Sequence, residues 1–311
     1  MGGIGAIAAG VKHLVAGCGH GAYMRGMCLR PLPLVAALIL LAVPAGAAEP
    51  GRSVTALSYA TTVAGLTVMA TNANVEMDER GYRVDISTRT AGTYGLLFRG
   101  ETSTLAEGLW AGMLVAPQRY AVSGIWRGAP RQTLVEYTGG QPTVLRLEPP
   151  NNAEREPVPL PLQRETIDTI SAAALLARRA TLTGRCDGAA RTFDGRRLFD
   201  VQARTGGWEE MPAETAVIGV GPALRCDFEG QLRAGFLLDG DRDSAARPQV
   251  GTAWLARLAP DGPMLPVQIR FTMRWLGNAT MTLTSARSDG LKLVRQRADA
   301  SYQRPECLTD V

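Results

Sequence analysis

The sequence predicts a mainly β protein, built as a strongly curved antiparallel sheet or a partly closed β-barrel with one packed α-helix. From residue 54 to residue 147, apolar and polar residues alternate in short runs, which is typical of half-buried strands. Turn signals separate these runs about every eight to twelve residues, a spacing that favours a meander or barrel over βαβ units. Only residues 167–180 have convincing helical periodicity.

The strand pattern begins early and continues through most of the first half. Asp78-Glu79-Arg80-Gly81 provides the first clear turn signal. The predicted strand runs are VTALSYATTVAGLTVMATNANVEM (54–77), YRVDISTRTAG (82–92), STLAEGLW (103–110), RYAVSGIW (119–126), RQTLVEYTGG (131–140) and TVLRLEP (143–149).

Residues 148–163 hold five prolines in EPPNNAEREPVPLPLQ and are predicted to form an extended linker. Such a linker could divide two domains. The alternating pattern resumes after it in the same style, however, so one continuous sheet is the simpler interpretation. We therefore predict a single β-rich domain over 48–290, followed by a polar C-terminal tail over 291–311.

The predicted helix, IDTISAAALLARRA, begins after Asp168, whose carboxylate can cap its N-terminus. Arg178 and Arg179 complement the helix dipole at the other end. A helix of about twelve residues is not stable alone in water, so it must pack on the sheet or at the mouth of its curve. The predicted apolar stripe consists of Ile170, Ala173, Ala174 and Leu176.

Strand runs resume after Cys186 and continue to the predicted tail. A hairpin is predicted around Gly277-Asn278, which also makes a structural role more plausible than glycosylation at Asn278. The runs are RRLFDVQAR (196–204), AVIGVGPALRCDFEG (216–230), LRAGFLL (232–238), GTAWLARL (251–258), PVQIRFTMRW (266–275) and ATMTLTSAR (279–287).

The stretch RTFDGRRLFD, residues 191–200, has both a structural and a functional interpretation. Asp194-Gly195 favours a hairpin with a type I′ turn. Strand alternation would then direct Phe199 and Val201 to the core and Leu198 outward. The functional alternative is a charged rim around an opening, where arginine binds an anionic head group in bidentate fashion. The candidate rim residues are Asp194, Arg196, Arg197 and Asp200.

Residues 1–47 are interpreted as a targeting segment. A true start at Met24 or Met27 gives a positively charged n-region, an apolar h-region from Leu34 to Val43 and a small-residue cleavage site at residues 45–47. We therefore expect cleavage and localisation to the periplasm. A lipobox-like sequence ending at Cys18 is the weaker alternative.

The composition of the mature chain excludes several classes of protein. Without Lys12, Arg25 and Arg30, only about one net positive charge remains, and no basic cluster with interleaved aromatics suggests nucleic-acid binding. No apolar stretch reaches the roughly 20 residues that a membrane-spanning helix needs. We therefore expect neither a nucleic-acid partner nor a membrane span.

Both histidines, His13 and His20, lie in the targeting segment. Their loss excludes Ser-His-Asp and Cys-His hydrolases and most zinc catalysis. A Ser-Lys dyad would have to use Lys292, and paired carboxylates remain an alternative. We expect a protein that is not an enzyme and that has no cofactor.

The acidic segment DGDRDSAARPQV, residues 239–250, has the alternating aspartates of a calcium loop. The pattern fails where it requires glycine, at Ser244, and where it requires a bidentate glutamate, at Val250. We predict a solvated connection before the next strand and no metal site.

Three cysteines remain in the mature chain, and export exposes them to an oxidising compartment. Cys186 and Cys226 both lie in the patterned region, so they are the predicted disulfide pair. Closing a loop of roughly 41 residues would contribute about 4 kcal/mol in the chain-entropy model. Cys307 would be either free or bonded to another chain.

Several short motifs together resemble the bacterial family of exported proteins catalogued as domain of unknown function 3108. The resemblance spans about residues 55–285, and its most specific part is Phe193-Asp194-Gly195-Arg196-Arg197. It implies no activity and no catalytic residues. The other motifs are SYATTVAGLTV (58–68), LVAPQRY (114–120), IDTISAAALLAR (167–178) and LRCDFEGQLRAGF (224–236).

Two functional hypotheses follow for an exported β protein of this kind. The first is a non-enzymatic periplasmic protein that binds a lipid-like or amphiphilic ligand in cell-envelope maintenance, since a curved sheet can enclose such a ligand. The alternative is a structural protein with a filled core that docks on another envelope protein. A continuous apolar cavity would favour the first, and a packed core the second.

Overall fold

A computed structural model describes residues 54–97, 99–126, 128–212, 221–273, 277–288 and 291–294. The predicted targeting segment and Cys307 lie outside the described residues. Residues 50–311 group as one unit by their internal contacts.

The described chain is mainly β, as the alternating sequence pattern predicts. Most strands have ten or more residues, and several follow the preceding strand after a turn of two to four residues. The strands are β1 Val54–Val63, β2 Leu66–Met77, β3 Gly81–Thr90, β4 Gly100–Ala111, β5 Leu114–Trp126, β6 Ala129–Thr138, β7 Gln141–Glu148, β8 Gly188–Phe193, β9 Leu198–Glu209, β10 Ala223–Ala234, β11 Gln249–Arg257, β12 Met264–Met273, β13 Gly277–Ser288 and β14 Leu291–Val294.

All of these strands belong to one antiparallel sheet that does not close. Its order is β7-β6-β5-β4-β3-β2-β1-β13-β12-β11-β10-β9-β8, so β7 and β8 form its two ends. Strand β1 pairs with β13, with Leu57 opposite Ala286 and Val63 opposite Ala279. This long-range ladder joins the halves of the sequence into one sheet, as predicted.

Within the described residues, four helices accompany the sheet: α1 Gly92–Leu97, α2 Leu160–Gln163, α3 Thr169–Thr183 and α4 Arg242–Ala245. Helix α3 is the predicted one. The Asp168 side chain accepts a hydrogen bond from the Ser171 amide at its N-terminus, and Gly184 ends it in the left-handed conformation.

The curvature of the sheet follows from the contacts of α3. This helix touches β4 and β5 on one side and β8, β11 and β12 on the other, although these strands lie far apart in the sheet. One helix can reach both sets only if the sheet bends around it. The predicted curved sheet with one packed helix is therefore confirmed.

The core is one continuous packed cluster together with smaller ones. The main cluster takes buried side chains from β1 through β6, from α3 and from β10 through β13. A second cluster joins Ala177 and Ala180 of α3 to Leu224, Leu255 and the disulfide. Side chains of α3 thus pack with strands from both halves of the described sheet.

The predicted disulfide between Cys186 and Cys226 is confirmed. Cys186 follows the end of α3, and Cys226 lies on β10. Both residues are almost fully buried. The bond therefore ties the end of the helix to the sheet on which the helix packs.

Two side-chain directions differ from the sequence prediction. Leu198, expected to face outward, is buried with Phe193, Val158 and Ala234. The proline-rich segment covers this side of the hairpin, so apolar residues pack on both faces of the hairpin. On α3 the buried face runs through Ala174, Ala177 and Ala180 rather than through Ala173, which is exposed.

Two predicted segments also differ from the structure. Residues 291–294, which the sequence analysis assigned to the tail, form β14. This strand pairs with residues 285–288 of β13, whereas β12 pairs with residues 277–282 of the same strand. The proline-rich segment, predicted to be an extended linker, connects β7 to α3 and includes a 3-10 turn at Asn151–Ala153 and the short helix α2. The remainder of the predicted tail lies outside the described residues.

Candidate functional site

The hairpin between β8 and β9 carries three of the four predicted rim residues. Its loop spans Asp194 to Arg197, and Phe193 pairs with Leu198 at its base. Gly195 has a positive φ of 86°, whereas the φ of Asp194 is not positive. The predicted hairpin is thus present, as a four-residue loop rather than a type I′ turn.

The Asp194 carboxylate organises this loop. Its Oδ1 accepts hydrogen bonds from the Arg196 amide at 2.9 Å and the Arg197 amide at 2.7 Å. Its Oδ2 accepts one from Arg197 Nε at 2.8 Å. Burial opposes ionisation here, yet the Arg197 guanidinium and these donors hold the pKa of Asp194 below its usual range.

Gly195 brings the loop tip against the opposite end of the sheet. A Cβ at this position would lie 2.7 Å from Thr133 Cγ2 and 3.4 Å from Val135 Cγ2, both on β6. No side chain fits at the tip. The hairpin of β8 and β9 therefore bridges the gap between the two ends of the open sheet.

Arg196 extends this bridge to β7. Its Nη2 donates to the Glu148 carbonyl oxygen at 2.7 Å, and its Nη1 lies 3.9 Å from Glu154 Oε2. Glu154 is itself held by Arg131 through two hydrogen bonds of 2.5 and 2.7 Å. Burial and the nearby Arg131 lower the pKa of Arg196.

Asp200 lies apart from the other three candidates. It accepts hydrogen bonds from Arg191 Nε at 3.0 Å and Arg233 Nε at 2.7 Å on the neighbouring strands. Burial disfavours its charge slightly, but these two arginines lower the pKa of Asp200 overall. The structure thus groups Asp194, Arg196 and Arg197 at the hairpin and leaves Asp200 in an exposed cross-strand ladder.

A cavity of about 190 Å³ lies beside the hairpin, and we call it the arginine pocket. Its apolar floor includes Leu232 and Phe236, which are buried, and Phe199, which is partly buried. Three arginines also line it, Arg155, Arg197 and Arg242, together with Asp241, whose carboxylate accepts a hydrogen bond from the Ser244 amide at the start of α4. The pocket therefore combines an apolar surface with guanidinium groups.

Arg155 reaches the pocket because its segment pairs with the chain after β10. Arg155 and Leu237 form an isolated antiparallel bridge, and the Glu156 amide donates to the Phe236 carbonyl oxygen at 2.9 Å. The Arg155 Nη1 atom donates to the Gly235 carbonyl oxygen at 2.8 Å. Burial, followed by the positive charge of Arg197, lowers the pKa of Arg155.

Arg242 lies at the start of α4, on another side of the pocket. Its guanidinium carbon is 4.1 Å from the centroid of the Phe236 ring, a cation–π contact. Its Nη1 atom donates to both carboxylate oxygens of Glu156 at 2.5 Å. Arg197 makes a longer contact of the same type, 5.5 Å to the Phe199 ring.

Sequence reasoning missed Arg155, Arg242 and Phe236. Arg155 lies in the proline-rich segment, and Arg242 lies in the acidic segment 239–250 that partly matches a calcium-binding loop. Neither has a local pattern that indicates a pocket. The usable signal was the charge of EREP at residues 154–157, but only tertiary pairing brings it to the hairpin.

A second polar group lies inside the curve. The Ser171 hydroxyl donates to the Asp168 carboxylate and is itself 2.5 Å from the Tyr82 hydroxyl oxygen. Burial raises the pKa of Asp168 and of Tyr82, Tyr120 and Tyr137. Asp168 has no exposed surface, so it caps α3 and does not face a ligand.

A wider groove of about 510 Å³ opens across β9 to β13. Two of its four charged residues contact other side chains of the protein. Asp227 accepts hydrogen bonds from Thr252 and Arg225, and Arg270 stacks 4.8 Å from the centroid of the Trp254 ring. The arginine pocket, which brings three arginines beside an apolar floor, is the stronger candidate site.

Two other kinds of site are absent from the described residues. No group of three or more histidine, cysteine, aspartate or glutamate residues in this part of the chain lies close enough together to hold a metal ion. No helix among the same residues has both the length and the apolar character needed to span a membrane.

The chain matches one family model and is similar to a solved structure. The family model described as "Protein of unknown function (DUF3108)" matches residues 56–284. No curated protein matches the sequence. A solved structure, a β-barrel-like protein of domain of unknown function DUF1849 from Brucella abortus, aligns with a TM-score of 0.48 at 13% identity, over 77% of this chain and 99% of that one. Because the family model covers most of the sequence, this chain belongs to the DUF3108 family of proteins of unknown function.

Proposed function

We propose that this protein is an exported, non-enzymatic binding protein of the cell envelope that takes an amphiphilic ligand in the arginine pocket. The observation that carries the proposal is the composition of that pocket. Phe199, Leu232 and Phe236 offer apolar surface, and arginines lie directly beside them. A ligand with an apolar chain and a polar head matches both surfaces.

The proposed compartment is the periplasm. Support comes from the targeting features of residues 1–47 and from the disulfide between Cys186 and Cys226. A buried disulfide that ties a helix to its sheet is expected in a protein that folds under oxidising conditions.

The proposed ligand lies at the pocket and not inside the curve of the sheet. The continuous cluster of buried side chains between the sheet and α3 supports this location. A small pocket implies a short apolar chain or only the head-proximal part of a longer one. We expect a dissociation constant on the order of 10 μM rather than 1 nM.

The absence of histidine beyond residue 47 supports a non-enzymatic role. So do the two aspartates that the sequence singled out. Asp194 and Asp200 both contact arginines, and their pKa values are lowered. A carboxyl group that acts as a general acid near neutral pH needs a raised pKa instead.

The test is gentle purification of the processed protein, followed by lipid extraction and mass spectrometry, together with titration of a short fluorescent fatty acid. We expect a bound amphiphile and saturable uptake. Ala245→Leu should reduce uptake at least tenfold, because Ala245 lines the pocket and a larger side chain fills it. Ala173→Leu, on the exposed face of α3, is the control.

Absence of any bound amphiphile together with absence of uptake would contradict the proposal. Equal uptake by Ala245→Leu and the unsubstituted protein would contradict the assignment to this pocket. A thermal unfolding curve for each variant separates loss of binding from loss of folding.

The packed core favours a second candidate, a structural protein that docks on another envelope protein. In that case, chemical crosslinking in the periplasm followed by mass spectrometry should give one recurrent protein partner. The purified protein should then take up no amphiphile.

A further inference from the structure

The arginines around the pocket differ in their acidic partners. Arg242 donates to both oxygens of Glu156, and Arg197 lies 2.7 Å from Asp194 Oδ2. Arg155 has no carboxylate within salt-bridge distance among the described residues, and the Gly235 carbonyl oxygen is its hydrogen-bond acceptor. Arg155 therefore has no acidic partner in direct contact, although the negative charges of Asp194 and Glu154 act on it from further away.

The position of Arg155 makes this unpaired charge costly. The residue is only partly exposed. Its burial, followed by the positive charge of Arg197, lowers the pKa of Arg155, and the charges of Asp194 and Glu154 only partly oppose this shift. A partly buried charge next to a like charge is stabilised when an anion binds between them. A guanidinium also has several donors, so one bond to Gly235 leaves others for a ligand.

We propose that the arginine pocket binds an oxyanion, a carboxylate or a phosphate monoester, with Arg155 as its main partner and Arg197 beside it. This inference rests on the proposed function, because the oxyanion is the head group of the amphiphile whose chain lies on Phe199, Leu232 and Phe236. A cationic head group would meet like charge. A neutral head group would leave Arg155 without an acidic partner in direct contact.

The experiment is isothermal titration of the full processed protein with four ligands that share an eight-carbon chain: octanoate, octyl phosphate, octanol and octyltrimethylammonium. We expect both anions to bind at least tenfold more tightly than octanol, and the cation to bind least. Sodium chloride should weaken the binding of octanoate and leave that of octanol nearly unchanged, because salt screens only the charged contact.

Arg155→Gln should reduce octanoate binding to the level of octanol, with octanol binding unchanged. Arg155→Lys keeps the charge and should retain part of the preference, which guards against a variant that folds poorly. Arg233→Gln is the matched control. Arg233 pairs with Asp200 in the exposed ladder outside the pocket, so octanoate binding should not change.

The outcomes separate the two proposals. If octanol binds as tightly as octanoate, or if Arg155→Gln leaves octanoate binding intact, the anionic head group is wrong while the amphiphile pocket stands. If none of the four ligands binds, the proposed function is wrong and this inference with it. If inorganic phosphate binds as tightly as octyl phosphate, the oxyanion is a free anion, which supports the role of Arg155 and contradicts an amphiphile.

Discussion

At the scale of single residues, Gly195 decides whether the hairpin can reach the other end of the sheet. Its φ of 86° is unfavourable for any side chain, and its missing Cβ makes room for Thr133. The sequence identified Asp194-Gly195 as a turn on local grounds. The need for close approach to β6 could not be predicted, because that strand lies about sixty residues earlier.

We expect Gly195→Ala to lower the free energy of unfolding by about 2–4 kcal/mol, since it adds a clash to an unfavourable φ. Gly139→Ala is the control. Gly139 also has a positive φ, of 57°, but a Cβ added there would meet no atom within 4 Å, so the cost should be about 1 kcal/mol. Urea unfolding measures both.

The clash can be tested separately from the backbone strain. Thr133→Ser removes the methyl group that the new Cβ would meet, so it should recover part of the stability lost in Gly195→Ala. Additive effects of the two substitutions would show that the clash does not contribute.

The lowered pKa of Asp194 implies that the stability of the protein depends on pH. Its folded pKa lies below its unfolded value of about 4, so its ionised form stabilises the folded protein above that pH. The stabilisation is lost as the pH falls through the folded pKa. We expect Asp194→Asn to cost about 2 kcal/mol at pH 7 and less at pH 3.

Urea unfolding at the two pH values measures this difference. Asp200→Asn is the comparison, because its ion pairs are more exposed and should contribute no more than about 1 kcal/mol. An equal loss for Asp194→Asn at both pH values would show that its charge does not stabilise the hairpin.

At the scale of elements, α3 is predicted well in its limits and less well in its orientation. Asp168 caps the helix as expected, because capping depends on residues within one turn. The buried face consists of Ser171, Ala174, Ala177 and Ala180. Small residues allow the helix to lie close to strands on both sides, and the larger Ile170 and Leu176 are only partly buried.

We expect Ala177→Leu to destabilise the protein by about 1–3 kcal/mol, because a larger side chain overpacks the cluster that Ala177 shares with Leu224 and Leu255. Ala173→Leu makes the same chemical change on the exposed face and should stay within about 0.5 kcal/mol. Thermal unfolding followed by circular dichroism provides the measurement. Equal effects of the two substitutions would contradict the observed orientation of α3.

At the scale of the whole molecule, the ladder between β1 and β13 joins distant parts of the sequence into one sheet. The hairpin of β8 and β9 contacts β6 and β7 as well, and α3 packs on both halves. The main core cluster of the described residues takes buried side chains from both halves of the sheet and from α3. A domain boundary within the proline-rich segment is therefore not expected.

We predict that the oxidised, processed protein unfolds in a single cooperative transition. Circular dichroism of the sheet and tryptophan fluorescence should give the same midpoint in urea, as for a two-state protein. Two separated transitions would indicate that the chain divides at the proline-rich segment after all. The disulfide must stay intact, because its reduction during unfolding would distort the curve.

The sequence by itself determined the β class, the helix and its cap, the hairpin and the disulfide partners. Alternation, capping and turn preferences act over a few residues, so the local sequence contains them. Short motifs in the sequence also predicted membership of the DUF3108 family, and the match to the family model confirms it.

Only the tertiary structure decided that the proline-rich segment covers one side of the hairpin and that Leu198 is buried there. It also decided that Arg155, Phe236 and Arg242 line the same pocket. Arg155 and Arg242 lie far apart in the chain and carry no shared local pattern. They come close because the hairpin of β8 and β9 bridges the two ends of the open curved sheet. This contact can form only after all the strands have paired.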